Sequence, residues 1–314
     1  MDKQVMVFAP SPELTVTVED RDGEADIHLH AGGQGVWQSR MIASLGVPVV
    51  LCAAFGGETG RVLRSLLTAG GIELIDQDVT ARNGGYVHDR RGDSGRQPVA
   101  GMPGDALSRH ELDELYETTL LRGLASETAV LSGTWHPRPV PADVYRRLAG
   151  DLTANGCRVI ADLSGERLDA ALEGGLHLVK VSHEEMLEDR RADGEEPAEL
   201  IEGMWRLREH GAAAVVVSRA SAPALALFDD TVWEVHGPEL HTVDTRGAGD
   251  SMTGAMAAAL TQGAELPDAI RLGAAAGALN VTRHGLGSSS GEGAAELVDR
   301  VELRRHQPKR KGHP

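Results

Sequence analysis

The chain has 314 residues, a hydrophobic share of 41% and a net charge of −16. That length supports a large core in one big domain or two ordinary ones. The acidity is spread along the chain, which argues against a nucleic-acid-binding surface. Aromatics make up only 3% while glycine reaches 38 residues, so the core is built from Val, Leu, Ile and Ala at close approach, as suits helices packed on a sheet. Cys52 and Cys157 lie far apart in apolar stretches; they read as buried, reduced thiols rather than metal ligands or a disulfide. No signal-like pattern opens the chain and no apolar run approaches membrane-spanning length, so a cytoplasmic protein without a membrane partner is expected.

In chain order, Gln4–Phe8 reads as a strand, Gly35–Leu45 as a helix and Val47–Ala53 as a second strand. Thr59–Ala69 is helical and Glu73–Ile75 extended. A helix near Arg109–Leu121, a strand at Ala129–Ser132 and a helix at Ala142–Asn155 follow. Arg158–Asp162, Leu176–Val181 and Ala213–Ser218 read as strands, with a helix at Glu196–His210 between the last two. This alternation implies right-handed crossovers and a mostly parallel sheet covered on both faces. Two segments break the rhythm. Leu14–Val18 with Ala25–His30, and Tyr86–His88 with Gln97–Ala100, look like hairpins, so lid strands from about 14–30 and 86–100 are expected to form a small separate sheet. Residues 1–303 are expected to be one α/β domain and 304–314 a basic, disordered tail.

The strongest chemical signal is Asp244-Thr245-Arg246-Gly247-Ala248-Gly249-Asp250, followed by a helix of small residues over Ser251–Leu260. Glycines let successive backbone N–H groups converge, and a helix start adds its positive dipole end. Such a turn suits the charge that develops on a transferring phosphoryl group. Asp250 stands where it could take a proton from an attacking hydroxyl. A lone Gly-x-Gly-Asp would suit an ordinary helix start equally well; the full ordered run is far more specific. His28 and His30 share a strand face but have no third ligand in view.

Asp244–Asp250 resembles the DTxGAGD signature of the ribokinase-like (PfkB) carbohydrate kinases, and the resemblance extends over roughly residues 5–295. Gly32-Gly33-Gln34-Gly35 with Arg40 is similar to that family's early Gly-Gly segment, and Phe55–Gly60 to its second Gly turn. Met102-Pro103-Gly104, Leu131-Ser132-Gly133, Asp162–Glu166 and Leu178-Val179-Lys180 most resemble the phosphofructokinase-B branch, with 1-phosphofructokinase and tagatose-6-phosphate kinase. The resemblance implies a three-layer sandwich with a β-sheet lid, ATP and Mg²⁺, a sugar or sugar-phosphate substrate, and homodimers that pair through the lid. It implies Asp250 as base and Gly247, Ala248 and Gly249 as the anion hole. It places Gly32, Gly33, Thr15, Trp37 and Arg82 at the sugar, with Arg82 on a substrate phosphate. Lys180, Ser218, Ala220, Gly249 and Asn280 fall at the nucleotide, and Glu185 at Mg²⁺ through water. Gly285–Gly291 resembles the Gly-rich stretch that closes the nucleotide site.

The chain departs from the family mainly in binding positions. Ser11-Pro12-Glu13-Leu14-Thr15 stands where the branch has Asn-Pro-x-Leu-Asp, Trp37 replaces an asparagine, and Ser182 replaces the asparagine of Asn-x-x-Glu. The nucleotide loop reads Ser218-Arg219-Ala220-Ser221-Ala222-Pro223, without its usual glycines. These changes leave open a kinase of an unphosphorylated sugar or nucleoside, or a catalytically weakened relative that binds a sugar or nucleotide.

Overall fold

The computed structural model describes residues 2–68, 71–92, 96–283 and 289–307. Strand β1 (Asp2–Phe8) leads into a hairpin of β2 (Glu13–Arg21) and β3 (Glu24–Gly32), then α1 (Gln34–Ser44) and β4 (Val49–Phe55). Next come α2 (Gly57–Leu67), β5 (Glu73–Asp78) and a second hairpin, β6 (Gly85–Asp89) with β7 (Gln97–Met102). The centre of the chain supplies α3 (Arg109–Ala125), β8 (Ser126–Ser132), α4 (Ala142–Ala154), β9 (Arg158–Asp162), α5 (Gly165–Gly174) and β10 (Leu178–Ser182). Helices α6 (His183–Glu188) and α7 (Pro197–Glu209) precede β11 (Val215–Arg219), β12 (Ala222–Phe228) and β13 (Thr231–His236). The remainder is α8 (Ala248–Gln262), α9 (Leu266–Asn280), α10 (Gly291–Leu297) and β14 (Glu302–Arg305).

Ten strands form one sheet in the order β14-β13-β12-β11-β10-β9-β8-β1-β4-β5. Neighbours from β11 to β5 run parallel, while β12, β13 and β14 pair antiparallel at the other end. Side chains alternate across it. Met6, Phe8, Val50 and Cys52 enter a core shared with α3, α4, α5 and α7. Val5, Val7, Val49 and Leu51 enter the opposite core, shared with α1, α2, α8 and α9. Helix α8 is buried along Ser251–Thr261, so it is apolar all round rather than amphipathic. Its small residues allow close approach: a Cβ on Gly254 would meet the Gln38 carbonyl at 2.7 Å.

The two hairpins merge into a four-stranded sheet, order β3-β2-β6-β7, with β2 and β6 parallel. Alternation gives it two unlike faces. Thr15, Thr17 and His88 are buried on the inner one, in register with His30, His28 and Tyr86. Val16 and Val18 share the outer face with Leu29 and Ile27, which are 49% and 62% exposed.

Several expectations shift. Arg304 and Arg305 do not begin a tail: they belong to β14, paired with Glu234 and Trp233 of β13, which closes the antiparallel end of the sheet. The expected disorder of residues 308–314 lies outside the described residues, as do residues 284–288 of the Gly-rich stretch. Of that stretch, Ser290 caps α10, its Oγ accepting from the Gly293 amide at 3.1 Å.

Candidate active site

The parallel order reverses direction at β1, where β4 lies on one side and β8 on the other. Ligands of such sheets bind beyond the strands' carboxyl ends at this point. There β1 runs out toward Glu13, β9 ends in Asp162, β10 ends in Ser182 and β11 ends in Arg219. The inner face of the small sheet covers the same end, through Thr15 against Gly32 and Trp37.

The turn before α8 is held open for an anion. Gly247 has φ +74°, a left-handed conformation that favours glycine. The first helical bond runs from the Ser251 amide to the Gly247 carbonyl at 2.9 Å, and no side chain caps the helix start. The Ala248 amide lies 3.4 Å from the Thr245 carbonyl, and the amides of Gly249 and Asp250 are left to meet a ligand. Asn280 fixes the loop from behind: its Nδ2 donates to the Arg246 carbonyl at 2.8 Å, and its Oδ1 accepts from Ser251 Oγ at 3.2 Å. Expected at the nucleotide, Asn280 thus spends both ends of its amide on this loop and the helix it opens.

Beneath the loop lies a buried polar set. Asp162, fully buried, accepts from Gln38 Nε2 at 3.0 Å and Thr253 Oγ1 at 2.8 Å, both on Oδ2. Its Oδ1 lies 3.5 Å from Lys180 Nζ. Burial works against the Lys180 ammonium, but Asp162, Glu185 and Asp250 outweigh it and hold its pKa above the ordinary value. Asp250 moves the other way. Burial, then the charge of Asp162, push its carboxyl up to about 8, with Lys180 opposing and Glu185 adding to the rise. A carboxylate so raised is a stronger base than a free aspartate. Lys180 also reaches the helix start: a Cβ on Gly249 would stand 2.3 Å from its Nζ, so a larger residue there would displace the cation from the turn.

Glu185 and Ser182 form a capping box. The Ser182 amide donates to Glu185 Oε2 at 2.7 Å, and the Glu185 amide to Ser182 Oγ at 3.2 Å. Serine is a strong helix cap, which explains why it can stand in for asparagine here. Burial raises the Glu185 pKa against the pull of Lys180. Among the described residues no cluster of three or more His, Cys, Asp or Glu side chains could cage a metal. The oxygens present instead fit a hydrated Mg²⁺ held through water, the usual state of that ion.

Among the residues expected at a sugar, Gly33 precedes α1 at φ +99°. Gly32 packs so closely on Thr15 that a Cβ would meet its Oγ1 at 2.6 Å. Trp37 is buried, with the Arg40 guanidinium 4.5 Å over its ring. Arg82, expected on a substrate phosphate, is 59% exposed and its Nε donates to Asp105 at 2.8 Å. Of the residues expected at a nucleotide, Ser218 is the penultimate residue of β11, its Oγ 3.5 Å from the Val181 carbonyl. Ala220 makes the tight turn to β12 at φ +47°, a conformation glycine adopts at no steric cost.

Two features were missed from sequence. Glu13 is buried where β2 leaves the cleft, and accepts from the Trp135 amide at 3.0 Å. Burial pushes its carboxyl up to about 7, against that hydrogen bond and the charge of Arg167. Read one step earlier, Ala9-Pro10-Ser11-Pro12-Glu13 also puts proline second and an acid fifth, as in Asn-Pro-x-Leu-Asp; the repeated Ser-Pro hid that register. The second feature is Arg96, at the foot of β7, whose Nη2 lies 3.3 Å from Asp244 Oδ2.

A doubly wound three-layer sandwich, with a small sheet over its switch point, is the build of the ribokinase-like kinases. The chain belongs to the pfkB family carbohydrate kinases, whose model matches residues 5–292. It is 32% identical over 258 residues to the ATP-dependent 6-phosphofructokinase isozyme 2 of Escherichia coli, covering 81% of this chain and 82% of that one. It is 27% identical over 278 residues to the 1-phosphofructokinase of Bacillus subtilis, covering 88% and 89%. The crystal structure of E. coli phosphofructokinase-2 with potassium superposes with a TM-score of 0.83 at 27% identity, covering 95% of this chain and 98% of that one. Arabidopsis thaliana ribokinase shares the fold at a TM-score of 0.75 and 20% identity, covering 95% and 99%. Among the described residues, no helix is long and apolar enough to cross a membrane.

Proposed function

We propose that this kinase transfers the γ-phosphoryl group of ATP to a hydroxyl of a sugar phosphate, with Asp250 as the base. One observation carries the reading: a carboxyl pushed far above its ordinary pKa sits in the first turn of an uncapped helix, beside Lys180 and open amides. The acceptor oxygen attacks the γ-phosphorus, the bond to the ADP oxygen breaks, and the hydroxyl proton passes to Asp250. The turn Gly247-Ala248-Gly249, with the open amides of Gly249 and Asp250, takes the charge that develops on the transferring group. Lys180 stands where it can pair with the nucleotide's phosphates, and Ser218 and the Ala220 turn border the same side. Mg²⁺, when bound through water near Glu185, would neutralise phosphate charge. Gly32, Gly33, Thr15, Trp37 and Glu13 face the sugar.

The phosphorylated acceptor is inferred from the relatives, whose names include 6-phosphofructokinase, 1-phosphofructokinase and D-tagatose-1-phosphate kinase. ADP release, measured over ketose 1- and 6-phosphates, the parent ketoses, ribose and nucleosides, tests the proposal. Turnover confined to phosphorylated sugars supports it; turnover confined to unphosphorylated acceptors, or none at all, refutes it. The exposed apolar outer face of the lid, with Ile27 and Leu29, further suits pairing with a second lid in a homodimer, which sedimentation velocity would detect.

A further inference from the structure

Where the large sheet meets α1 and α8, its apolar rows give way to a polar one. Val130, Ile160 and Leu178 lie on that face, in the apolar core. Two residues further along each strand, with side chains on the same face, come Ser132, Asp162 and Lys180, neighbours in the strand register. All three are buried, Ser132 and Asp162 completely. The helices answer with Gln38 from α1 and Thr253 from α8, each fully buried too. Gln38 Nε2 and Thr253 Oγ1 both donate to Asp162 Oδ2, at 3.0 and 2.8 Å. The Ser132 hydroxyl donates to Gln38 Oε1 at 2.5 Å, so the amide has a partner at each end and a single orientation. Among the described residues Asp162 Oδ1 receives no hydrogen bond; its neighbour is Lys180 Nζ at 3.5 Å. Leucine and valine would fill the places of Gln38 and Thr253 without desolvating an amide and a hydroxyl.

We propose that Gln38 and Thr253 are positioning residues for Lys180, acting through Asp162. By occupying Oδ2 they fix the plane of the carboxylate and draw off part of its charge. Only Oδ1 then faces the ammonium. A charged pair in so dry a place would otherwise close to a short contact with both oxygens, since Coulomb attraction is strong at low dielectric. Lys180 would be drawn toward the sheet and away from the turn at Gly249, where a Cβ would stand 2.3 Å from its Nζ. With two neutral donors on the far oxygen, the cation keeps its counter-charge and remains free to pair with a phosphate of the nucleotide. This inference rests on the proposed meeting of Lys180 with the nucleotide.

Calorimetric titration of the full chain with MgATP, in the absence of acceptor, tests it apart from turnover. Wild type should bind saturably. Gln38→Leu and Thr253→Val keep the size and lose the donor, and each should bind about tenfold more weakly. Thr253→Ser keeps the hydroxyl and should stay within about twofold of wild type. Lys180→Met marks the route: in that background Gln38→Leu should weaken binding no further, because its effect passes through the ammonium. Wild-type affinity in both donor-less variants, equal losses in Thr253→Ser and Thr253→Val, or an equal loss from Gln38→Leu with and without Lys180 would each overturn the assignment. Should Lys180→Met fail to fold, its loss leaving Asp162 without a counter-charge, the Thr253 pair decides alone. Wild-type affinity in the variants would leave the nucleotide role of Lys180 standing, whereas no binding by wild type would refute that role and this assignment with it.

Discussion

Glu13→Gln removes a titrating group from the cleft while keeping its size and its acceptor for the Trp135 amide. The carboxyl rises from 4.5 to about 7 on folding. At about 1.4 kcal/mol per pH unit, that difference amounts to about 3 kcal/mol. The sign follows from proton binding: between pH 4.5 and 7 the native state holds this proton and the unfolded chain has released it. Glu13 therefore costs nothing below pH 4.5 and destabilises progressively as pH rises to about 7. Urea unfolding, followed by tryptophan fluorescence from pH 4.5 to 8, should give equal stabilities for wild type and Glu13→Gln at the acid end. The variant should be about 3 kcal/mol more stable at the alkaline end. Asp250 and Glu185 add slopes of the same sign, but they are common to both proteins and cancel in the difference. Parallel stability curves would show that Glu13 is not buried in the unfavourable environment described.

Ala220→Gly should stabilise the chain by about 1 kcal/mol, because alanine is held at φ +47° in the turn between β11 and β12; a thermal melt that does not rise would contradict the backbone argument. Leu29→Asp places a charge on the outer lid face, where Leu29 is 49% exposed. Sedimentation velocity is expected to return a dimer for wild type and a monomer for this variant, and a wild-type monomer would remove the lid as an interface.

The fold was legible where periodicity was clean. The parallel strands and their crossover helices emerge within a few residues of Phe8, Ser132 and Asp162, and the four lid strands emerge as two hairpins. The β12–β13 hairpin was not read, because its turn is Asp229-Asp230, both left-handed without glycine. Helix α9 hides in an Ala- and Gly-rich run with a weak stripe, since its partner α8 is itself buried on all sides. The catalytic turn was the clearest part of the site, as the glycines, the helix start and Asp250 are contiguous. What sequence could not convey is which side chains converge from distant strands. Arg82 pairs with Asp105, and Arg96 sits in an unremarkable hairpin flank and meets Asp244 across 148 positions. Likewise Asp162, Lys180 and Asp250 come together only because β9, β10 and α8 end at one edge of the sheet.

The central claim is that the Asp250 carboxylate accepts the hydroxyl proton. Steady-state kcat of Asp250→Asn, with the melting temperature and MgATP affinity measured alongside, tests it most directly. With the base removed, kcat should fall about a thousandfold while folding and nucleotide binding stay intact. A kcat within tenfold of wild type would contradict it and leave the raised carboxyl without a catalytic role.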